Sequence, residues 1–200
     1  MMKITNNKKE GNILRFDISG VDVKMLNAFR RTIMSWVPVM AVEKVNFKFN
    51  SSILNDENLA HRIGLVPLTT KFGKYALPQD CECEGQGCPK CSCKLTIDVH
   101  GPATVYSADL KSGDSDVKPV YDTIPLVKLM DKQSITLEAE AIAGAGSEHM
   151  KWQPALCSYE LKDKDTYSVL VESFGQVPVE ELVKAAFEVV SEKIKQIKIK

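Results

Sequence analysis

The sequence has no charge excess of either sign. Its 26 Lys and Arg stand against 26 Asp and Glu, for a formal net charge of zero. A free-standing binder of nucleic acid or membrane surfaces normally carries a positive excess, so the balance argues against that class. No stretch approaches the roughly 20 apolar residues of a membrane-spanning helix. Residues 1–20 hold no apolar core of signal-peptide length. No cysteine precedes Cys81, whereas a secreted disulfide protein spreads its bridges through the fold. Together these absences predict a cytoplasmic chain with no membrane partner. Also missing are a P-loop, a dinucleotide-binding glycine pattern after the first strand and an Asp-rich triad for phosphoryl transfer. No internal repeat or long low-complexity tract is present.

What remains is globular in character, with 44% hydrophobic and 26% charged residues. Two hundred residues make one large domain or two small ones. A chain this long can bury roughly 70% of the surface its unfolded form exposes, so it needs no covalent staple. Zero net charge gives little protection against association, which suits a life inside a complex.

Periodicity predicts an α+β fold. Leu14, Phe16 and Ile18 alternate with Arg15 and Asp17, the pattern of a half-buried strand. Asp22 is placed to cap a helix with a stripe of Leu26, Phe29, Ile33 and Trp36, which Pro38 ends. Val45, Phe47 and Phe49 mark a strand over 42–49. Asn55 caps a short helix, with Leu54 able to staple onto Leu59, and Gly64 is the expected left-handed stop. Further strands are predicted around Leu95, Ile97 and Val99, from residue 103 onward, over 134–143, and at Tyr167, Val169 and Val171. Gly175 and Pro178 open a last helix. Its apolar stripe runs Val179, Leu182, Val183, Ala186, Phe187, Val190, Ile194 and Ile197, and Val189 and Ile199 widen it. Glu180 and Glu181 near its start, with Lys193, Lys195 and Lys198 near its end, match the helix dipole. Helices near both ends with strands between suggest an inserted domain: residues 1–38 and 155–200 form one unit, and 39–154 the other.

Five of the six cysteines fall between Cys81 and Cys93, and Cys157 stands apart. Cys88-Pro-Lys-Cys91 has the spacing at which two sulfurs reach one tetrahedral ion. Cys81 and Cys83 stand across a Gly-rich turn that lets the backbone fold back. Cys81, Cys83, Cys88 and Cys91 therefore read as ligands of one structural Zn(2+). Lys90 and Lys94 are placed to offset part of the charge, and Cys93 is a spare thiol or possible substitute. An iron–sulfur cluster is the sharper rival, but the ferredoxin spacing is absent. Plain reduced thiols are the bland alternative.

No catalytic residues emerge. His61 and His149 lack a nucleophile or acid partner at readable spacing, so hydrogen-bonded structural roles are the simpler reading. The last helix carries more apolar surface than a small unit easily covers, which points to an obligate interface. A stand-alone metal-binding regulator, or a hydrolase using either histidine, are the competing readings.

The run Asn27-Ala-Phe-Arg-Arg-Thr-Ile-Met-Ser-Trp-Val-Pro38 is followed by Leu54-Asn-Asp-Glu-Asn-Leu-Ala-His-Arg-Ile-Gly-Leu-Val-Pro-Leu68. Further on come His149-Met-Lys-Trp152 and Val171-Glu-Ser-Phe-Gly175. Together these resemble the alpha-like subunits of cellular RNA polymerases. Similarity is greatest to the archaeal branch of that family, with likeness to the third-largest subunit of eukaryotic RNA polymerase II and the N-terminal domain of bacterial alpha. The resemblance implies a non-catalytic assembly subunit of DNA-directed RNA polymerase, enzymatic only as part of the complex. Its terminal segments would pair with a smaller alpha-like subunit, L in archaea, with Leu26, Phe29, Ile33, Phe187, Val190 and Ile194 contributing. The pair would then serve as platform for the two large catalytic subunits, with Arg30, Arg31, His61 and Arg62 as contacts, and meet DNA only indirectly. In the eukaryotic relatives four cysteines of the middle domain hold zinc. Here the Cys83–Cys88 gap is one residue longer and Cys93 adds a fifth thiol. The segment from Pro154 to Tyr167 is too short for the ferredoxin-like insertion that some archaeal relatives carry.

Overall fold

The computed structural model describes residues 2–196. The expected contributions of Ile197, Lys198 and Ile199 lie outside the described residues. The chain opens with β1 (Lys3–Glu10), β2 (Ile13–Ser19), α1 (Val23–Ser35), β3 (Val39–Asn50) and α2 (Asp56–Gly64). After the cysteine loop come β4 (Ser92–His100), β5 (Ala103–Tyr106), β6 (Lys111–Ser112), β7 (Pro125–Leu129) and β8 (Ser134–Gly144). The chain closes with β9 (Ala155–Asp163), β10 (Thr166–Ser173) and α3 (Val179–Gln196). This mixture of helices and antiparallel sheets is α+β.

Contacts divide the chain into Met1–Pro38 with Ala145–Lys200, and Val39–Gly144. Residues 145–154, expected in the middle unit, thus belong to the terminal one, because they fasten onto the end of α1. The Ser147 N–H donates to the Ser35 carbonyl at 2.9 Å. Gly146 passes so close that a Cβ there would lie 2.3 Å from the Met34 carbonyl oxygen.

The terminal unit is built on a sheet of order β1-β2-β10-β9, antiparallel throughout. Leu14, Phe16 and Ile18 are buried, with Val171 and Val169 opposite the first two across the β2–β10 pair. Asp22 caps α1 by accepting the Lys24 N–H at 3.0 Å. Leu26, Phe29, Thr32 and Ile33 are the buried residues of that helix. α1 packs on α3 and β9, and α3 on β10 and β2. Trp36 departs from its predicted stripe. The helix ends at Ser35, so Trp36 leaves the helical path and is 44% exposed, with Lys193 Nζ 3.4 Å from its ring centroid. β1 is exposed along its whole length, so it has no apolar alternation to read. Its lysines blunt the sheet edge. Asp17 lies on the face away from Phe16 yet is only 6% exposed, because Asn6 and Lys162 close over its carboxylate at 2.7 and 2.8 Å.

The middle unit contains a sheet of order β3-β8-β4-β6 and a two-stranded ribbon of β5 and β7. Leu95 pairs with Ala139 and Ile97 with Leu137, all buried in one core with Leu59 and Ile63 of α2. Asn55 caps α2 by accepting the Asn58 N–H at 3.2 Å. Gly64 is not the left-handed stop that the sequence predicts. It is the last helical residue, and the chain turns at Leu65, whose N–H bonds back to His61. Pro67 disfavours helix at the residue before it, so no left-handed glycine is required. β3 begins at Val39, three residues earlier than predicted. Val45 and Phe47 pack on the core, but a register shift between Phe47 and Phe49 leaves Phe49 54% exposed.

Candidate metal centre and helix interface

The cysteine loop is shaped by backbone before any ion is considered. Cys81 ends a short 3-10 turn over Pro78–Asp80. The Glu84 N–H then donates to the Cys81 carbonyl at 2.9 Å, and the Gln86 N–H to the Cys83 carbonyl at 3.1 Å. Gly85 and Gly87 sit at φ of +79° and +84°, where a side chain would be strained, and they reverse the chain. On the returning limb the N–H groups of Cys91 and Ser92 both donate to the Cys88 carbonyl, at 3.0 and 2.9 Å. This is the tight knuckle that a C-x-x-C spacing permits.

The turns bring four sulfurs together. The separations are 3.5 Å for Cys81–Cys88, 3.5 Å for Cys81–Cys83, 3.4 Å for Cys83–Cys91 and 3.8 Å for Cys88–Cys91. All four lie within 4.8 Å of one another. With Zn–S near 2.3 Å, the edges of a tetrahedron of sulfurs are about 3.8 Å long. The quartet therefore fits one tetrahedral ion, and thiolates are the donor set zinc prefers in structural sites. None of the cysteines is in a disulfide.

The thiols are electrostatically unequal. The Cys88 backbone N–H, followed by the Cys91 thiol, stabilises the Cys83 thiolate and lowers its pKa to about 6. Burial, followed by the thiol hydrogen bond with Cys83, pushes Cys91 up to about 12. A divalent cation at the centre would favour thiolate at every ligand, so binding one would release protons.

Cys93 stands outside the quartet. It lies on β4 in the core with Leu95 and Ile97, 5% exposed, its sulfur 3.5 Å from the Ser112 hydroxyl. Lys90, expected to offset ligand charge, instead pairs with Glu82 at 2.8 Å on the surface. Cys157 is a buried thiol of the terminal unit, its pKa raised to about 12 by burial.

On the terminal helices, Leu26, Phe29 and Ile33 are buried within the chain's own core, at 2%, 3% and 0% exposure. Phe187 is half-buried and stacks on Phe29. Val190 is half-buried too, and Ile194 is 49% exposed. Beside them runs an open groove of about 450 Å³, lined by Met25, Ala28, Thr32, Val190 and Ile194, with Asp22, Lys24 and Lys193 also on its walls. Met25 and Ala28 are absent from the sequence-based interface. The signal for them is the helical pair 25 and 28, each one position before the buried Leu26 and Phe29.

Arg30 is held by the Asn27 carbonyl oxygen Oδ1 at 3.2 Å and approaches the Met34 sulfur at 3.6 Å; Arg31 is exposed. His61 and Arg62 are exposed on α2, and Arg62 donates to the Pro125 carbonyl at 2.7 Å. These pairs belong to different units. His149 accepts the Lys151 N–H on Nδ1 at 3.1 Å and so caps the short turn leading to buried Trp152.

Comparison of the sequence with known proteins finds relatives that cover the cysteine loop. The family described as the RNA polymerase Rpb3/RpoA insert domain matches residues 45–157. The DNA-directed RNA polymerase subunit Rpo3 of Methanothermobacter thermautotrophicus is 44% identical over 171 residues, 84% of this chain and 64% of that protein. The subunit Rpo3 of Thermococcus kodakarensis is 42% identical over 78% of this chain and 58% of its own length. That of Pyrobaculum aerophilum is 45% identical over 73% of this chain and 57% of its own. The chain belongs to the family of the RNA polymerase Rpb3/RpoA insert domain. It spans about three fifths of the length of the curated relatives it matches. No helix among the described residues is long and apolar enough to cross a membrane.

Proposed function

We propose that this chain is a non-catalytic assembly subunit of DNA-directed RNA polymerase, taking part in catalysis only through the complex. It pairs with a smaller alpha-like subunit through α1 and α3, and the pair receives the two large catalytic subunits. The observation that carries this reading is the open apolar groove between Met25 and Ile194, in a chain 44% identical to an Rpo3 subunit. Leu26, Phe29 and Ile33 support the pairing helices from inside, while Met25, Ala28, Val190 and Ile194 offer the contact. Arg31, His61 and Arg62 are exposed and suit large-subunit contacts, with Arg30 held more closely to its own helix.

Cys81, Cys83, Cys88 and Cys91 are proposed to hold one structural Zn(2+). An ion with four protein thiolates has no open position, so it would supply a cross-link rather than chemistry on a substrate. The closeness of the four sulfurs favours a single ion over an iron–sulfur cluster.

Coexpression with a small alpha-like subunit tests the assembly reading. The expected product is a 1:1 complex by size-exclusion chromatography with mass measurement, and Met25→Glu with Ile194→Glu should abolish it. A chain that stays alone beside the coexpressed partner would overturn it.

A further inference from the structure

The two limbs of the cysteine loop are supported differently. Cys88 and Cys91 lead directly into β4, where Ser92 pairs with Ile142 and Cys93 with Ala141. Cys81 and Cys83 follow residues 71–80, which hold turns and one 3-10 turn but no strand. Asp114 anchors this second limb. Its Oδ1 accepts from Lys74 Nζ at 2.7 Å and from the Asp116 N–H at 3.0 Å. Its Oδ2 accepts from the Tyr75 hydroxyl at 2.5 Å and lies 2.6 Å from Lys74 Nζ.

Asp114 is itself tied to the sheet. The Gly113 N–H donates to the Lys94 carbonyl at 3.2 Å, and the Asp114 N–H to the Ser112 hydroxyl at 3.1 Å, with Ser112 paired to Leu95. On the loop side, the Ala76 N–H donates to the Lys90 carbonyl at 3.0 Å, between Cys88 and Cys91. Tyr75 and Leu77 pack against the core. The Asp114 side chain is 18% exposed and its bond from Tyr75 is part-buried, whereas the Lys74 side chain, 36% exposed, meets solvent.

We infer that Asp114 is a positioning residue for the metal loop, fixing the Cys81/Cys83 limb against the Cys88/Cys91 limb and thereby setting how tightly an ion is held. The inference rests on the metal reading given above. An ion that must order a loop loses part of its binding free energy in doing so. A limb already clamped by Lys74 and Tyr75 spares that loss.

The test uses the full chain, with Zn2+ affinity measured by competition against a chromogenic chelator and Co2+ as spectroscopic probe. Asp114→Asn should hold zinc about tenfold less tightly, the lower range for supporting residues around metal ligands. Its Co2+ spectrum should remain that of a tetrahedral tetrathiolate, since all four ligands are kept. Tyr75→Phe removes one donor and should lose less, in the same direction. It also carries the test if Asp114→Asn fails to fold. The rise in melting temperature on adding Zn2+ should shrink in both variants. Unchanged affinity, with melting lowered equally with and without zinc, would make Asp114 a support of the fold alone and overturn the inference. A wild-type chain that takes up neither Zn2+ nor Co2+ sinks the metal reading itself. Wild-type uptake with equal affinity in the variants sinks only this inference.

Discussion

The rings of Phe29 on α1 and Phe187 on α3 stack with centroids 4.4 Å apart and planes 22° from parallel. Phe29 is 3% exposed, so this contact joins the two helices within the chain's own core. The internal packing of these helices therefore uses Leu26, Phe29 and Ile33, and the open groove is lined by their neighbours Met25 and Ala28.

Phe29→Ala is expected to destabilise the terminal unit by about 3–5 kcal/mol, the usual cost of emptying an aromatic core position. Denaturant unfolding checks it. A loss below about 1 kcal/mol would mean that α1 and α3 are not locked as described.

The thiols divide sharply. On the proposed zinc reading, Cys88→Ser should lower bound metal to a small fraction of the unsubstituted chain's content, because a hydroxyl replaces a thiolate at a tetrahedral corner. Cys93→Ser should leave zinc content unchanged, since that sulfur faces Ser112 and the core. Elemental analysis of the purified chain distinguishes them. Equal loss in both variants would place Cys93 among the ligands.

Asp17 gives the terminal unit an acid-sensitive element. The hydrogen bond from Asn6, followed by that from Lys162, holds its carboxyl below the usual range. A carboxyl unfolds to a pKa near 3.9, so the stabilisation is present above about pH 4 and is lost as pH falls through the lower folded value. Lys162, raised by its bond to Asp17, works at the other end. Its contribution is present below about pH 10.4 and fades as pH rises through the folded value. Asp17→Asn should therefore flatten the loss of stability as pH falls below about 4, read from urea midpoints on the acid side. Asp114, also held low by Lys74 and Tyr75, keeps some acid dependence in the variant. Identical acid limbs would show that Asp17 is not paired in solution.

The three helices and the strands around Phe16, Ile97 and Leu137 were legible because each buries one face, and burial on one face imposes a period on the sequence. β1 was not legible, since an exposed edge strand has no such period. β7 is too short to show one, and β9 alternates only over Ala155, Cys157 and Tyr159 before its exposed end. Trp36 kept the helical spacing yet left the stripe, because a helix end is decided by capping rather than periodicity.

By itself the sequence determined that the chain is neutral, α+β and supplied with a thiol cluster of metal-ligand spacing. Those properties follow from composition and local spacing, which chain connectivity preserves. Only the tertiary structure decided which four of five clustered cysteines meet, because β4 pairing turns Cys93 into the core while the glycine turn folds Cys81 and Cys83 back. It also decided that Leu26, Phe29 and Ile33 are internal while Met25 and Ile194 face an open groove. Helical spacing defines a stripe, but only the packing of one helix on another decides which side of that stripe is left uncovered.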